Sequence, residues 1–342
     1  MISRKPTLLA LNCLLIAAFQ SPVAQANSPR KDQAGMQEAV RPQIFAPGVV
    51  SGPANDGSPT FSPDGNTIFF TRSNGSWGAI LESHKVNGNW SKPILAPFSG
   101  QWYDASLGMS PDGSYIVFTS KRPVAPSGPA PKDIHKVANL WRVDRAGSGW
   151  RKPVRLPDTV NIGHSIWKPS VAANGDLYFV SIDEKGAKRL YCSQYKDGAY
   201  QQAEPLPFSE GTTLDVDPEI APDESFLVFV SAGRLPGNTL DHLFIVARQG
   251  SAWGPVVPIR YASDDKPAFS TDDEPHLSPD RRTIYFSSDR AFPFDFPRTP
   301  EQAQEDFKRM ENWGWFGGYS NVWSIPLEPY LNAAKNASKG PS

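Results

Sequence analysis

Five copies of one short phrase, spread along the chain, constrain its fold more than any other feature. The phrase reads FSPDG at residues 61–65 and MSPDG at 109–113, followed by VAANG at 171–175, IAPDE at 220–224 and LSPDR at 277–281. Self-similarity at intervals of roughly 50 residues is typical of proteins in which each copy forms one supersecondary unit. The chain is therefore expected to be built from five similar units.

Each copy carries the pattern of several short strands. Its Pro-Asp-Gly turn is followed by an alternating apolar run, which predicts a half-buried strand. These runs cover residues 67–71, 115–119, 177–181, 226–230 and 283–287. A further strand is predicted at residues 79–86, 139–144, 189–195, 242–247 and 321–326. A last strand contains Trp90 or Trp150 in a Trp-x-x-Pro pattern, a shorter form at Trp253, and Tyr200 with Pro205 in the third copy.

The order of these strands predicts an all-β fold, a β-propeller of five four-stranded blades. The fifth copy lacks its last strand, and residues 39–47 resemble the last strand of the first copy at residues 89–97. We therefore expect the N-terminal strand to complete the last blade and close the ring, which removes exposed sheet edges. A β-sandwich with chance turn similarity fits five copies less well, and few residues remain for a sixth blade.

Composition agrees with a strand-rich, folded chain. The 34 Pro residues argue against a helical protein, and the 11% aromatic content argues against disorder. The formal charge of -1 gives no basic excess, so a nucleic-acid partner is not expected.

The first 26 residues have the pattern of a secretory signal peptide. Arg4 and Lys5 precede an apolar stretch at residues 8–19, which is too short to span a membrane, and Ala24–Ala26 offers a small-x-small cleavage site. Lipidation of Cys13 is the less favoured alternative. We expect a periplasmic or secreted protein cleaved near Ala26.

The remaining chain divides into three predicted parts. Residues 27–38 are expected to be a flexible segment, 39–328 the propeller and 329–342 a C-terminal tail, with a short helix in the last-blade insertion. Cys192 would be the only cysteine after cleavage, so no intrachain disulfide is expected. No second apolar run reaches spanning length, and we expect a monomer without a membrane span.

Ser-Pro-Asp-Gly followed by an alternating strand and an Arg resembles the TolB-type propeller repeat, a Pro-Asp relative of the WD repeat. The resemblance covers roughly residues 39–328, and it implies a propeller fold more strongly than any one function. Such repeats occur in periplasmic partner-binding proteins and in the propeller domains of prolyl-oligopeptidase-like enzymes. This chain shows five repeats rather than the six of TolB, and no separate N-terminal α/β domain is evident.

Charged residues mark the loops that lead into the first strand of each repeat. Asp56, Asp104 and Asp217 fit either a repeated loop-tying role or a functional one. Asp272, Asp273, Glu274 and Lys168 break the repeat pattern and are the stronger binding candidates. Arg72, Arg122, Arg234 and Arg290 follow the second strands, where each either pairs with a neighbouring Asp or lines a polar channel mouth.

Two long insertions fall between the second and third strands, at residues 123–137 and 291–319. The second contains a capping box that begins at Thr299, which predicts a helix from Pro300 to about Asn312. Strand parity places this aromatic-rich insertion on the same face as the acidic loops. The residues predicted to bind a ligand are Trp102, Tyr103, Trp167, Lys168, Asp272, Asp273, Glu274, Arg290, Trp313 and Trp315.

Two functions remain open. The first is a non-enzymatic module that binds a protein partner or a glycan on this face. The second is a glycoside hydrolase-like enzyme that uses Asp56, Asp104, Asp217 and Glu274, since paired carboxylates carry that chemistry. No Gly-x-Ser-x-Gly, His-Glu-x-x-His or phosphate-binding glycine motif is present. No cofactor is expected, although a Ca²⁺ held by the acidic loops is left open.

Overall fold

The computed structural model describes residues 40–52, 54–124, 138–183, 185–237, 239–261, 271–290, 297–313 and 320–337. The expected signal peptide at 1–26 and the segment at 27–38 lie outside these ranges, as does most of the insertion at 123–137. Of the insertion at 291–319, only residues 297–313 are described. Residues 39–342 form one compact unit.

The chain first forms a short strand and then five successive blades. Strand β1 spans Gln43–Ile44. Blade 1 contains β2 (Asn55–Phe61), β3 (Thr67–Ser73), β4 (Gly78–Val86), β5 (Asn89–Trp90) and β6 (Ile94–Leu95). Blade 2 contains β7 (Asp104–Met109), β8 (Tyr115–Ser120), β9 (Asn139–Ala146), β10 (Gly149–Trp150) and β11 (Val154–Arg155).

The later blades follow the same plan. Blade 3 contains β12 (Ile166–Val171), β13 (Leu177–Ile182), β14 (Lys188–Ser193), the hairpin β15 (Tyr195–Lys196) and β16 (Ala199–Tyr200), and β17 (Glu204–Pro205). Blade 4 contains β18 (Leu214–Ile220), β19 (Phe226–Ala232), β20 (His242–Gln249) and β21 (Ala252–Pro258). Blade 5 contains β22 (Asp272–Leu277), β23 (Thr283–Ser288), helix α1 (Pro300–Trp313) and β24 (Asn321–Pro326), and helix α2 (Glu328–Ala337) ends the fold.

The five-bladed ring predicted from the repeats is confirmed. Every blade is an antiparallel sheet whose first three strands are neighbours in chain order. The inner strands β2, β7, β12, β18 and β22 contact one another in a closed cycle, so they surround a central channel. The loops leading into these strands lie on one face of the ring, here called the upper face. The Pro-Asp turns that end them lie on the lower face.

The N-terminal strand closes the ring as the sequence predicts. β1 pairs antiparallel with β24, with Gln43 opposite Ser324 and Ile44 opposite Trp323. Phe45 continues this strand into an aromatic cluster, where its ring lies edge-on to Phe61 and Tyr285, with centroids 5.9 and 4.9 Å away. Because Phe61 belongs to blade 1 and Tyr285 to blade 5, this cluster joins the first blade to the last.

The two helices differ in how well the sequence predicts them. The capping box of α1 is present: Thr299 N–H donates to Gln302 Oε1 at 2.9 Å, and Gln302 N–H donates to Thr299 Oγ1 at 3.2 Å. Helix α2 lies where a tail is expected. It packs against β20 and β21 and buries Tyr330 and Ala334, four residues apart and so on one helical face. Within the described ranges, neither helix is long and apolar enough to cross a bilayer.

Replacing Phe45 by Ala should test ring closure. The change removes the ring that joins blades 1 and 5, and we expect the free energy of unfolding to fall by about 3 kcal/mol. Guanidinium unfolding followed by tryptophan fluorescence measures it. Val154→Ala is the matched control, because that side chain is 64% exposed at an outer strand. Equal midpoints for the two variants would contradict a closing role for Phe45.

Candidate functional site

A repeated backbone irregularity supplies five side chains to the channel. In each inner strand the register with the next strand shifts at one point, which is a β-bulge. Within each bulge one residue other than Gly has a positive φ of 43 to 53°. These bulge residues are Ser58, Ser106, Lys168, Asp217 and Glu274. A left-handed conformation costs an L-residue about 1–2 kcal/mol. A bulge re-aims the side chain it carries, and this one recurs in every blade.

Contacts between blades that are not neighbours show that bulge side chains enter the channel. Ser106 of blade 2 donates from Oγ to Oε1 of Glu274 in blade 5, at 3.0 Å. Lys168 of blade 3 donates from Nζ to Nε2 of His276 in blade 5. Blade 1 lies between the first pair and blade 4 between the second, so both contacts are made across the channel.

Glu274 is fixed from several sides. Its Oε1 accepts from Ser106, and its Oε2 accepts from Ser287 Oγ at 3.1 Å. Gly57 lies directly against this carboxylate, and a Cβ there would collide with Oε2. A side chain at this position would therefore displace the Glu274 carboxylate, so Gly57 leaves room for it. Ser58 next to it is fully buried, and its Oγ has no hydrogen-bond partner among the described residues.

Carboxylates from blades 4 and 5 form an acidic wall of the channel. Asp217 Oδ2 accepts the backbone N–H of Glu274 at 3.1 Å. Burial and the negative charge of Glu274 together raise the pKa of Asp217 to about 7. Burial also raises the pKa of Asp273 well above its ordinary value, with further contributions from Asp217, Asp241 and Glu274. The negative charges of Asp241 and Glu274 thus disfavour the ionised forms of Asp217 and Asp273.

Lys168 lies below this wall in a buried polar network. It is fully buried, and Nζ donates to Nε2 of His276 and to the carbonyl oxygen of Pro275, the latter at 3.3 Å. On the other side of the imidazole, Nδ1 lies 3.4 Å from Glu219 Oε2. Burial lowers the pKa of both Lys168 and His276. Burial by itself raises the pKa of Glu219, but His276 and Lys168 bring it below its ordinary value.

A second, repeated set of acids has a different role. In four blades an Asp near the start of the inner strand pairs with an Arg at or just after the end of the second strand. The pairs are Asp56–Arg72 at 2.6 Å, Asp104–Arg122 at 2.9 Å, Asp215–Arg234 at 2.6 Å and Asp272–Arg290 at 2.6 Å. Each Asp side chain is 0 or 1% exposed, so these pairs hold the loop to the blade.

The strand register shows that Asp217 is not equivalent to Asp56 and Asp104, with which the sequence groups it. Asp215, rather than Asp217, occupies the position of Asp56 and Asp104, because Asp217 lies two residues further on, in the bulge. Asp272 and Arg290 bind each other and the Tyr261 hydroxyl, which donates to Asp272 and accepts from Arg290.

The aromatic candidates divide between described and undescribed positions. Tyr103 lies in the loop leading into β7, where Lys121 Nζ is 4.2 Å from its ring centroid. Burial and the charge of Glu274 raise the pKa of its hydroxyl, which places it near the acidic wall. Trp102 and Trp167 are half-buried, and Lys188 lies over the Trp167 ring at 5.6 Å. Trp313 ends α1 without a described side chain, and Trp315 lies outside the described residues.

Sequence reasoning missed several members of the channel. Ser58, Ser106, Gly57, Glu219 and His276 were not among the candidates. A signal was present for most of them, because a Pro follows four of the five bulge residues and the position after that Pro also faces the channel. The bulge in blade 2 has Leu107 instead of Pro, so Ser106 gave no such signal. Within the described ranges, no three His, Cys, Asp or Glu side chains converge as metal ligands.

No family model and no curated protein matches the chain. Similar solved structures include a putative TolB from Agrobacterium tumefaciens, which is 19% identical with a TM-score of 0.46 and covers 72% of this chain and 74% of its own. TolB from Acinetobacter baumannii is 14% identical with a TM-score of 0.44, covering 80% of this chain and 54% of its own. A protein of unknown function from Dyadobacter fermentans is 12% identical with a TM-score of 0.46, covering 84% and 98%. Similarities of this size do not identify a function.

The pKa of Asp217 predicts how stability varies with pH. Because it is about 7 in the folded protein and about 3.9 in an unfolded chain, the folded state binds the proton more tightly. The stabilisation from this proton is complete below about pH 4 and is lost as the pH rises through 7. Asp217→Asn should therefore reduce the loss of stability between about pH 5 and pH 8.

Guanidinium unfolding midpoints at the two pH values measure this difference. Asp158→Asn is the control, because that side chain is 88% exposed and should leave the dependence unchanged. If Asp217→Asn retained the full pH dependence of the unaltered protein, the assignment of this titration to Asp217 would be wrong.

Proposed function

We propose that this protein is an exported binding module that works in the periplasm or outside the cell after cleavage near Ala26. Its ligand, a protein partner or a glycan, docks on the upper face at the mouth of the channel. The observation that carries the proposal is the identity of the five bulge residues. The β-bulge recurs in every blade, but the residue within it does not. The five residues are two serines, a lysine, an aspartate and a glutamate.

The distribution of repeated and unrepeated residues supports this location. The four Asp–Arg pairs recur because they stabilise each blade in the same way. At the axis, in contrast, an acidic wall on blades 4 and 5 is opposed by hydroxyl groups on blades 1 and 2. Function in a scaffold of repeats is carried by side chains that depart from the repeat.

The chemistry of this mouth suits a hydroxylated ligand. The acidic wall provides hydrogen-bond acceptors, Lys168 is a buried donor beneath it, and Tyr103 and Trp167 add aromatic surface nearby. A few polar groups that fix orientation beside aromatic surface are typical of small-ligand sites. Sugar rings offer both hydroxyl groups and apolar faces, so a glycan or a glycosylated partner is favoured.

Binding should depend on the bulge residues and on the aromatic surface beside them. We expect Glu274→Gln and Trp167→Ala each to weaken capture of the ligand by about tenfold or more, because they remove a channel acceptor and a half-buried aromatic ring in the inner strand of blade 3. A glycan array and a periplasmic pull-down with the purified mature protein identify the ligand, and titration then measures each variant. Tyr195→Ala is the control, since Tyr195 is 37% exposed in the hairpin that follows the third strand of blade 3, on the opposite face of the ring. Unchanged binding by both site variants would exclude this site.

One observation favours an enzyme as the second candidate. Asp217 and Glu274 are adjacent carboxylates, and the raised pKa of Asp217 keeps part of it protonated at neutral pH. A glycoside hydrolase needs one protonated and one ionised carboxyl group. Asp56 and Asp104 suit these roles less well, because Arg72 and Arg122 bind them.

Hydrolysis of a panel of nitrophenyl glycosides tests this candidate. If the protein is a hydrolase, Asp217→Asn and Glu274→Gln should each lower the rate by about 10²-fold or more, while Asp158→Asn leaves it unchanged. Turnover that survives in both site variants would rule out this carboxylate pair as the catalytic one.

A further inference from the structure

The channel has a second chamber that opens toward the lower face. It is a cavity of about 170 Å³. Each inner strand contributes its last two residues to the walls, and the first of these lies two positions after the bulge residue. The five residues at this position are Thr60, Gly108, Ser170, Glu219 and His276. Lys168 and His276 meet across the channel between this cavity and the bulge residues above. The cavity therefore lies on the lower side of this contact, and the proposed ligand site lies on the upper side.

The inner wall of this chamber carries an ionised acceptor. Glu219 accepts hydrogen bonds from Ser170 Oγ at 2.9 Å and from the backbone N–H of Leu277 at 3.0 Å, and His276 Nδ1 lies 3.4 Å away. A carboxylate offers about four acceptor positions, so one remains. The side chain of Glu219 keeps 12% of its surface exposed, and it lines the cavity. The lowered pKa of Glu219 keeps it charged at neutral pH.

The opening of the chamber is apolar close to the axis and acidic around it. Prolines of four Pro-Asp turns line it, namely Pro63, Pro111, Pro222 and Pro279. An aspartate follows each of them, and hydrogen bonds within the turns lower the pKa of Asp64 and Asp280. Among the residues that line the cavity, Arg281 is the one cation, and Asp223 binds its guanidinium at 2.9 Å.

We propose that this chamber binds a small aliphatic amine in its protonated form. The ammonium group would donate to the remaining acceptor position of Glu219, and the methylene groups would contact the prolines. Surrounding carboxylates favour a cation and disfavour an anion at the opening. Ca²⁺ fits less well, because it takes six to eight oxygen ligands and Glu219 is the one carboxylate that lines the cavity. An alkylamine has a pKa of about 10, like that of lysine, so it is charged at neutral pH.

Titration with n-butylamine, n-butanol and butyrate, followed by NMR of the full-length mature protein at low ionic strength, tests the proposal. Butylammonium is expected to bind with a dissociation constant of millimolar order, as suits a ligand of a few atoms. Added salt should weaken this binding. Butanol and butyrate should not compete with it. Absence of butylammonium binding, or equal binding of butanol, would overturn the proposal.

Variants locate the binding within the molecule. Arg281→Gln removes the cation at the opening from an exposed position, and we expect butylammonium to bind about two- to fivefold more tightly. Arg151→Gln, a charge-matched change at an exposed position of blade 2, should have no effect. Glu219→Gln should weaken binding by about tenfold. If Glu219→Gln does not fold, the Arg281 variant still decides, and no change in its affinity overturns the proposal.

One variant distinguishes amine binding in the lower chamber from ligand binding at the upper face. Glu274→Gln should leave butylammonium binding unchanged, although it removes the acceptor on which ligand capture at the upper face is expected to depend. If the same variant abolished amine binding, the amine would lie at the upper site and the assignment to the lower chamber would be wrong.

Discussion

Closure of the ring is completed by the pairing of two residues of β1, Gln43 and Ile44, with strand β24. β1 supplies the outer strand of blade 5, so a strand from the start of the described chain completes the sheet at its end. β1 thereby reinforces the direct contact between the inner strands of blades 1 and 5, and this contact closes the cycle that brings non-neighbouring blades to face each other. The contacts between Ser106 and Glu274, and between Lys168 and His276, exist because closure fixes the distance across the channel.

Inside the closed ring, the backbone conformation at the bulge is nearly the same in every blade, whereas the side chains at the axis differ. The bulge is set by strand register and, in four blades, by the Pro that follows. The residue inside the bulge supplies only the group that reaches the axis. The channel is therefore lined by two layers of residues. One layer consists of the bulge residues, and the other consists of the residues two positions later in each inner strand. The contact between Lys168 and His276 connects the two layers. It lies between the acidic upper mouth and the lower chamber.

The fold could be predicted from the sequence because its signals are local and repeated. Pro-Asp turns, alternating strands and the resemblance of residues 39–47 to 89–97 together predict five blades and their closure. The helix from Pro300 was predictable from its capping box. Helix α2 was not predicted, because its apolar face is short, with Tyr330 and Ala334 buried and Leu331 packed beside them, and it forms against blade 4.

The site was predictable only in part, because it depends on register across the ring. Lys168, Asp273 and Glu274 could be singled out since they break the repeat. The distinction between Asp215, which binds Arg234, and Asp217, which lies in the bulge, requires knowledge of where the strand is irregular. No local pattern indicates that Ser106 meets Glu274, or that Gly57 makes room for a carboxylate from another blade.

Because the bulge backbone does not depend on which residue occupies it, the side chains at the axis can change during evolution while the bulge remains. Each blade contributes one axial group from a backbone position that serine, lysine, aspartate and glutamate all occupy here with nearly the same φ. Ligand preference can therefore change one blade at a time while the scaffold stays intact. Where two of these side chains meet across the channel, as Ser106 and Glu274 do, a change in one blade also alters the partner that it contacts.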